Sequence, residues 1–274
     1  METLECSLKC YYLIIQEGGF ILDREWDLIL TSAMDIGKAM LESGGEVHRV
    51  EDTIHRICIA YGATGAEVFS IVSLITATAS TPQGIHVSQS RRVYASSNNM
   101  DRLERLNALS RKICREKTPP HEIPALLAGV LSSRPYSKWC KLLGAMLASG
   151  GFAVFFGGTW LDGMMSAAIG LGITLLGMFI PEGINQAVQI TLYSFLSGIT
   201  SLLLAACGLI HNSDKVMIGT IMLMIPGVAF GNALREILKG DTATGMLRLI
   251  QSVILATTIA AGFALALVIG GMLL

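Results

Sequence analysis

The charged residues of this chain are concentrated in its first half. Of 20 Lys and Arg residues only four follow Lys141, and of 21 Asp and Glu residues only five do. From Leu142 to Leu274 the sequence is a series of apolar runs with short breaks. Because a helix of about 20 apolar residues spans the ~30 Å hydrocarbon core of a bilayer, the second half is predicted to lie in a membrane and the first half in water.

This division predicts two domains, one over residues 1–138 and one over residues 139–274. The fold class is a cytoplasmic α+β N-terminal domain followed by an all-α polytopic membrane bundle of about five transmembrane helices. The near-zero net charge indicates no nucleic-acid partner. The predicted spans cover residues 142–156, 164–180, 187–210, 216–230 and 249–274.

Hydrophobic periodicity predicts the elements of the first domain in the order helix, helix, strand, strand, helix, helix. Ser43 and Glu46 have the spacing of a capping box at the start of the second helix. Asn98 or Asn99 is suited to capping the third helix. The helices are predicted near residues 24–43, 46–61, 100–117 and 122–133, and the strands at 68–78 and 85–94, on either side of the turn Thr81-Pro82-Gln83-Gly84.

Lys and Arg residues beside the spans predict the orientation of the chain, because they are enriched on the cytoplasmic side of membranes. Three basic residues precede the first span, and Arg235, Lys239 and Arg248 lie between the fourth and the fifth. The loop 157–163 has none. A multi-pass protein of the plasma (inner) membrane is therefore expected, with a cytoplasmic N-terminal domain and an external C-terminus.

Two acids, Asp162 and Glu182, lie at the predicted ends of spans. A charged side chain at the centre of a transmembrane helix costs roughly 2.5–3.5 kcal/mol on insertion scales, and less near the interface. Asp162 and Glu182 are thus either interfacial residues or an ion-coupling site for protons or cations.

The first candidate substrate site is the polar stretch between the second and third predicted spans. Pro181 is a candidate gating residue, and Glu182, Asn185 and Gln186 are candidate substrate-binding residues. Irregular backbone between spans exposes polar groups to a substrate, as in many transporters.

The second candidate site follows the fourth predicted span. Pro226 and Gly227 are candidate gating residues, and Asn232 and Arg235 are candidate substrate-binding residues. The planar guanidinium of Arg235 is suited to binding a substrate carboxylate. Arg235 is equally suited to anchoring the orientation of the chain, and the sequence leaves both interpretations open.

The alternative function is a membrane-anchored enzyme with hydrolytic chemistry around His48, Glu51 and His55. These residues lie on one predicted helix, but their spacing is not that of an H-E-x-x-H metal site, and a solvated helix face explains them equally well. The absence of a Walker A sequence and of G-x-G-x-x-G argues against an ATP-driven pump. No cofactor or metal site is predicted.

An ordered set of segments resembles the threonine/serine exporter family. The resemblance implies a cytoplasmic domain and a membrane bundle that exports small amino acids or, in a related branch, dicarboxylates such as succinate. The segments are Ala39–Glu51, Thr81–Ile85, Phe155–Gly158, Ile225–Gly227, Asn232–Arg235 and Gly240–Gly245.

Full-length members of this family carry a membrane part about twice as large. The chain is similar to the split form, which implies that a second small polytopic membrane subunit of the same family supplies the remaining spans. The expected function is therefore one subunit of a secondary exporter of threonine, serine or dicarboxylates, with a small carboxylate-bearing substrate and the lipid bilayer as its other partners.

The orientation is open to a direct test. A phosphatase reporter that is active only outside the cytoplasm, fused after Leu274, should be active, because the predicted span count is odd. A reporter that is active only in the cytoplasm serves as the control at the same position. Activity of the cytoplasmic reporter alone would contradict the five-span arrangement.

Overall fold

The computed structural model describes residues 25–94, 97–133, 136–180 and 184–273. The chain forms two compact units. Unit 1 comprises the chain up to Arg134 together with Asn232–Leu247, and unit 2 comprises Pro135–Gly231 together with Arg248–Leu274.

Unit 1 contains helices and one sheet. The chain passes through two helices, three strands and two further helices before it leaves the unit, and it returns over Asn232–Leu247. The elements are α1 (25–42), α2 (Val47–Ala60), β1 (Gly65–Ile71), β2 (Leu74–Ser80), β3 (His86–Arg92), α3 (Met100–Glu116), a 3₁₀ turn (Pro120–Glu122) and α4 (Ile123–Leu131).

The three strands form an antiparallel sheet in the order β1-β2-β3. The prediction of a single strand over 68–78 is wrong, because β1 and β2 pair across a two-residue turn in which Ile71 faces Leu74. The turn residues Val72 and Ser73 have no positive φ, so the turn requires neither Gly nor Asn, and the usual sequence mark of a hairpin is missing. The second predicted strand is confirmed as β3.

The core of unit 1 lies between one face of the sheet and the helices. In α2 the buried side chains recur at helical spacing, as Val47, Val50, Ile54 and Ile57. In β2 they alternate, since Ile75, Ala77 and Ala79 are buried and the residues between them are not. Full burial of a side chain such as Ile contributes roughly 1.5–3 kcal/mol, so these two faces hold the unit together.

The predicted cap of α3 is confirmed, whereas the predicted cap of α2 is not. Asn99 caps α3 as predicted, with its side-chain oxygen accepting from Arg102 N at 3.0 Å. The predicted capping box of Ser43 and Glu46 is wrong. Ser43 Oγ donates to Ala39 O at 2.7 Å, and Glu46 makes no cap hydrogen bond because its carboxylate binds the side chains of Arg235 and Lys239.

The described residues of unit 2 form helices joined by turns and loops, with no strand. Three of its helices are long and apolar enough to cross a membrane, at Trp160–Phe179, Gln186–Ala206 and Thr242–Met272. They correspond to the predicted second, third and fifth spans, and the total of five is not confirmed. The helices are α5 (Lys138–Phe155), α6 (Trp160–Phe179), α7 (Gln186–Ala206), α8 (Ser213–Ile221), α9 (Gly227–Leu238) and α10 (Thr242–Leu273).

The fourth predicted span, 216–230, is not one continuous helix. The helix α8 ends at Ile221 and α9 begins at Gly227. The nine residues of α8 rise only about 14 Å, roughly half of the hydrocarbon thickness. The first predicted span lies almost wholly in α5, whose first turn carries Lys138 and Lys141. These two charged residues shorten the apolar part of that helix.

Small residues let α5, α6 and α8 approach closely. A Cβ atom added to Gly150 would lie 2.9 Å from Gly163 O, and one added to Gly219 would lie 2.9 Å from Ala153 Cβ and even closer to Ser149 O and Ser166 Oγ. Such contacts are typical of helix pairs in membranes, where close packing drives association.

The substitution Gly219→Ala should therefore destabilise unit 2. Overpacking of this kind costs roughly 1–3 kcal/mol, and the thermal midpoint of the protein in detergent should fall by several degrees. Gly172→Ala is the matched control, since a Cβ atom there meets nothing within 4 Å. An equal midpoint for the two variants would contradict the tight packing described here.

Candidate functional site

Within unit 1, α9 lies against the loop that joins α1 to α2. Arg235 Nη1 donates to Glu46 Oε1, and Lys239 Nζ donates to Glu46 Oε2 at 3.3 Å. Asn232 Nδ2 donates to Gly44 O at 3.4 Å. The structure thus brings together two of the predicted substrate-binding residues, Asn232 and Arg235, and adds Glu46 as their centre.

Glu46 is the buried member of this cluster. Its side chain is 9% exposed, whereas those of Arg235 and Lys239 are 55% and 40% exposed. Burial alone would raise the pKa of Glu46, but hydrogen bonds from Arg235 and Lys239 and the nearby charge of Arg49 outweigh burial and hold the pKa below its usual 4.5. Glu46 is therefore ionised at neutral pH.

This arrangement bears on the role predicted for Arg235. Its guanidinium already has a carboxylate partner, so a substrate carboxylate would have to compete with Glu46. The substrate-binding role of Arg235 stays a prediction. The structure adds a structural role to its predicted role in orienting the chain, because Arg235 joins α9 to Glu46 at the start of α2.

Glu236, the next residue of α9, binds the backbone at the start of α2. It is 1% exposed, and its Oε1 accepts from Val47 N at 3.1 Å. The first N–H groups of a helix lack intrahelical acceptors, and the helix dipole favours a negative charge there. Glu236 therefore supplies the cap that Ser43 does not.

Glycines allow the close approach of backbone at this cluster. Gly44 has a φ of +88°, and a Cβ atom there would lie 2.8 Å from Asn98 Oδ1. Gly245, in the first turns of α10, leaves room for α9, because a Cβ atom there would lie 2.8 Å from Ala233 O. Three of the segments that carry the family resemblance, Ala39–Glu51, Asn232–Arg235 and Gly240–Gly245, thus converge in unit 1.

Of the remaining predicted substrate-binding and gating residues, Asn185, Gln186, Pro226 and Gly227 lie in unit 2. Pro181 and Glu182 fall outside the described residues. Asn185 Oδ1 caps α7 by accepting from Ala187 N at 2.9 Å, and Gln186 is the first, exposed residue of that helix. Both belong to a different unit from Asn232 and Arg235.

Pro226 and Gly227 lie where the chain breaks between α8 and α9. Gly227 is the first residue of α9, and Pro226 O accepts from Phe230 N at 2.9 Å as that helix begins. The break itself is thus present, and gating by these residues stays a prediction.

Asp162 is fully buried at the start of α6 and forms a capping box with Thr159. Its Oδ2 also accepts from Asn212 Nδ2 at 3.0 Å, and its Oδ1 accepts from His211 N at 2.9 Å and Asn212 N at 3.3 Å. Asp162 therefore fastens the loop before α8 to the start of α6. The predicted ion-coupling role would have to use a carboxylate whose two oxygens are already engaged, and it stays a prediction.

A seam of hydroxyl groups runs through the interior of unit 2. Ser197 Oγ and Thr220 Oγ1 are hydrogen-bonded at 2.5 Å between α7 and α8, and Ser166 Oγ donates to Ser149 O at 3.0 Å between α6 and α5. The members of this hydroxyl seam, all 0% exposed, are Ser149, Ser166, Ser194, Ser197, Ser201 and Thr220. Hydroxyl groups both donate and accept hydrogen bonds, so the seam places polar groups among apolar helices.

The residues of the alternative enzyme do not form a catalytic cluster. Glu51 Oε1 accepts from Ser70 N at 2.7 Å, and His55 Nδ1 lies 2.8 Å from Ala66 O, so both join α2 to β1. Burial is the main reason that the pKa of Glu51 is raised. His48 is exposed. Among the described residues, no group of three or more His, Cys, Asp or Glu residues is placed to hold a metal ion.

Sequence reasoning missed Glu46, Glu236 and the hydroxyl seam as parts of candidate sites. The first two were hidden because their partners are 189 residues away along the chain. Arg248 was interpreted only as an orientation anchor, yet it is 8% exposed. An acid or base close to a predicted span is the signal that could have drawn attention to Glu236 and Arg248, whereas Glu46 lies far from any predicted span.

A double-mutant cycle tests the Glu46 cluster. Glu46→Gln should lower the free energy of unfolding of unit 1 by about 2 kcal/mol, because charged groups lose a buried partner, and its effect should not add to that of Arg235→Gln. Since the pKa of Glu46 is lowered in the fold, its stabilisation is present above pH ~4.5 and is lost as the pH falls further. Acid should therefore destabilise the wild type more than Glu46→Gln.

Thermal denaturation between pH 7 and pH 3.5 measures both effects. Glu42→Gln is the matched control, because Glu42 pairs with Lys38 at 3.8 Å on the surface and such pairs contribute at most about 1 kcal/mol. Additive effects of Glu46→Gln and Arg235→Gln on the free energy of unfolding would contradict the ion pair between Glu46 and Arg235.

Comparisons with known proteins identify the family. Residues 31–270 match the profile of the ThrE family, described as "Putative threonine/serine exporter". A protein of Mycobacterium tuberculosis named "Probable threonine/serine exporter" is 24% identical over 255 residues, which are 91% of this chain and 48% of that protein. No solved structure matches. The chain spans about half the length of the curated relative, and it belongs to the threonine/serine exporter family.

Proposed function

We propose that this chain is one subunit of a secondary exporter that moves threonine, serine or a dicarboxylate out of the cytoplasm. The family membership and the three apolar helices support a membrane transporter. The proposal places the protein in the plasma membrane with the N-terminal domain in the cytoplasm, as the distribution of Lys and Arg predicts.

The observation that carries the proposal is the hydroxyl seam. Six buried hydroxyl groups from α5, α6, α7 and α8 lie in the interior of the apolar unit. In the observed conformation they bind one another and the backbone, as in the pair of Ser197 with Thr220. A small polar solute can exchange for these hydrogen bonds at similar free energy, because each hydroxyl group donates and accepts.

The chemistry of the seam favours a zwitterionic amino acid over a dicarboxylate. The seam is neutral, and hydroxyl groups match the ammonium, carboxylate and side-chain hydroxyl of threonine or serine. A dianion such as succinate also requires positive charge, because an uncompensated charge is costly in an apolar environment. Dicarboxylate export is therefore the second candidate, and it is measured in the same assay.

A partner subunit is part of the proposal. The matching protein of Mycobacterium tuberculosis is about twice as long as this chain, and the split form of the family divides the membrane part between two chains. A second small polytopic protein of the same family would supply the remaining spans. Export should then require both chains.

The test is efflux from vesicles that contain this chain with and without such a partner. Labelled threonine, serine and succinate are loaded in separate reactions. The substitution Thr220→Val removes a seam hydroxyl at nearly constant volume and should slow efflux about tenfold, the equivalent of one lost hydrogen bond. Thr257→Val is the matched control, because its hydroxyl is exposed and bonds only within α10.

The outcomes separate the parts of the proposal. Efflux of none of the three solutes by the two chains together would contradict the exporter function. Efflux by this chain alone would contradict the need for a partner. Equal rates for Thr220→Val and Thr257→Val would leave the export function standing but would exclude the seam as the path.

A further inference from the structure

A groove of about 530 Å³ lies between α2 and α3 in unit 1. Its lining residues recur at helical spacing, so each helix turns one face towards the groove. The lining consists of Arg49, Asp52, Thr53, Arg56, Asn107, Ser110, Arg111, Cys114 and Arg115. The volume is within the range of small-molecule sites, and none of the residues assigned above to transport lines it.

The lining is strongly positive. Four arginines, two from each helix, face a single acid, Asp52, which leaves a net charge of +3. Asp52 is already bound by Arg56, with 2.8 Å between Arg56 Nε and Asp52 Oδ2. Among the described residues, no acid pairs with Arg111, whereas Arg115 contacts the neighbouring Glu116 at 3.0 Å.

The positions of these groups suit a bound anion. The arginine side chains are exposed at the rim, whereas Ser110 is 7% exposed and Cys114 is partly buried. Guanidinium groups bind phosphate through two parallel hydrogen bonds. The hydroxyl groups of Thr53 and Ser110 already donate to Arg49 O at 2.7 Å and to Asn107 O at 3.0 Å, so the arginines supply the donors for an anion. Positive groups on both helices can contact separate phosphate groups of one ligand.

We propose that this groove binds a small anion with two or more phosphate groups. Four guanidinium groups on two helices suit the separate anionic groups of a diphosphate better than a zwitterionic amino acid, which has no net charge, or a dicarboxylate of charge −2. The site would be distinct from the transport path, and it does not depend on the proposed export function. The same phosphate chemistry occurs in soluble metabolites and in anionic lipid headgroups, so the test must distinguish these sources.

The probe is inorganic pyrophosphate, titrated calorimetrically into the full chain in nanodiscs of phosphatidylcholine. Saturable binding that weakens with salt is expected, because the rim is exposed to solvent. The double variant Arg111→Gln/Arg115→Gln should bind at least tenfold more weakly. Arg105→Gln is the matched control, since Arg105 lies on α3, pairs with Asp101 at 3.0 Å and does not line the groove.

Cysteine alkylation gives a second, local readout. Pyrophosphate should slow the modification of Cys114 several-fold and leave the exposed Cys140 unchanged. Burial raises the pKa of Cys114, so labelling is performed at alkaline pH. Protection of both cysteines, or of neither, would overturn the assignment to this groove.

The source of the phosphate is decided by repeating the titration in nanodiscs that contain phosphatidylglycerol. Weaker pyrophosphate binding there would indicate that lipid headgroups compete for the groove, and unchanged binding would indicate a soluble ligand. The absence of saturable binding in the phosphatidylcholine nanodiscs, or equal affinity of the wild type and the double variant there, would overturn the proposal.

Discussion

The carboxylate of Glu46 joins parts of the chain that are far apart in sequence. It binds Arg235 and Lys239, which follow it by 189 and 193 residues, and it is the least exposed of the three side chains. Loss of Arg235 or Lys239 would leave the carboxylate of Glu46 with a charge that cannot return fully to water. The position of α9 in unit 1 therefore depends on this carboxylate and on its neighbour, Glu236.

Unit 2 meets a different constraint, since apolar surroundings leave its polar groups without water. Each buried hydroxyl or carboxylate must then find a partner within the protein. Asp162 does so through Thr159, His211 and Asn212, and Ser197 does so through Thr220. Asp162 thus fixes a loop by several hydrogen bonds, whereas one hydrogen bond joins Ser197 to Thr220, and Thr220 Oγ1 also donates to Met217 O at 2.9 Å.

The sequence predicted local structure best where periodicity was strong. The helix α2 follows from Val47, Val50, Ile54 and Ile57, which recur every three or four residues. The hairpin of β1 and β2 was missed because Val72 and Ser73 turn the chain without a positive φ. The role of Glu46 could not be predicted, because a pattern confined to one helix contains no information about a partner in α9.

The candidate sites were also predictable to different degrees, because a sequence pattern marks single residues but not their partners in other helices. Arg235 stood out because bases are rare in the second half of the chain, yet its partner was not evident. The hydroxyl seam draws on four helices, and each serine or threonine alone is unremarkable among apolar neighbours. Its existence depends on which helix faces meet, and close packing of small residues such as Gly150 and Gly219 decides that.

Arg49 connects the two charged regions of unit 1. Its Nε lies 3.9 Å from Glu46 Oε2, and the same side chain lines the groove between α2 and α3. Because Arg49 is 63% exposed, its ion pair with Glu46 contributes at most about 1 kcal/mol. An anion bound in the groove could therefore draw the guanidinium of Arg49 away from Glu46 with little loss of stability. Glu46 would keep Arg235 and Lys239, so occupation of the groove would alter the electrostatics at the start of α2 without releasing α9.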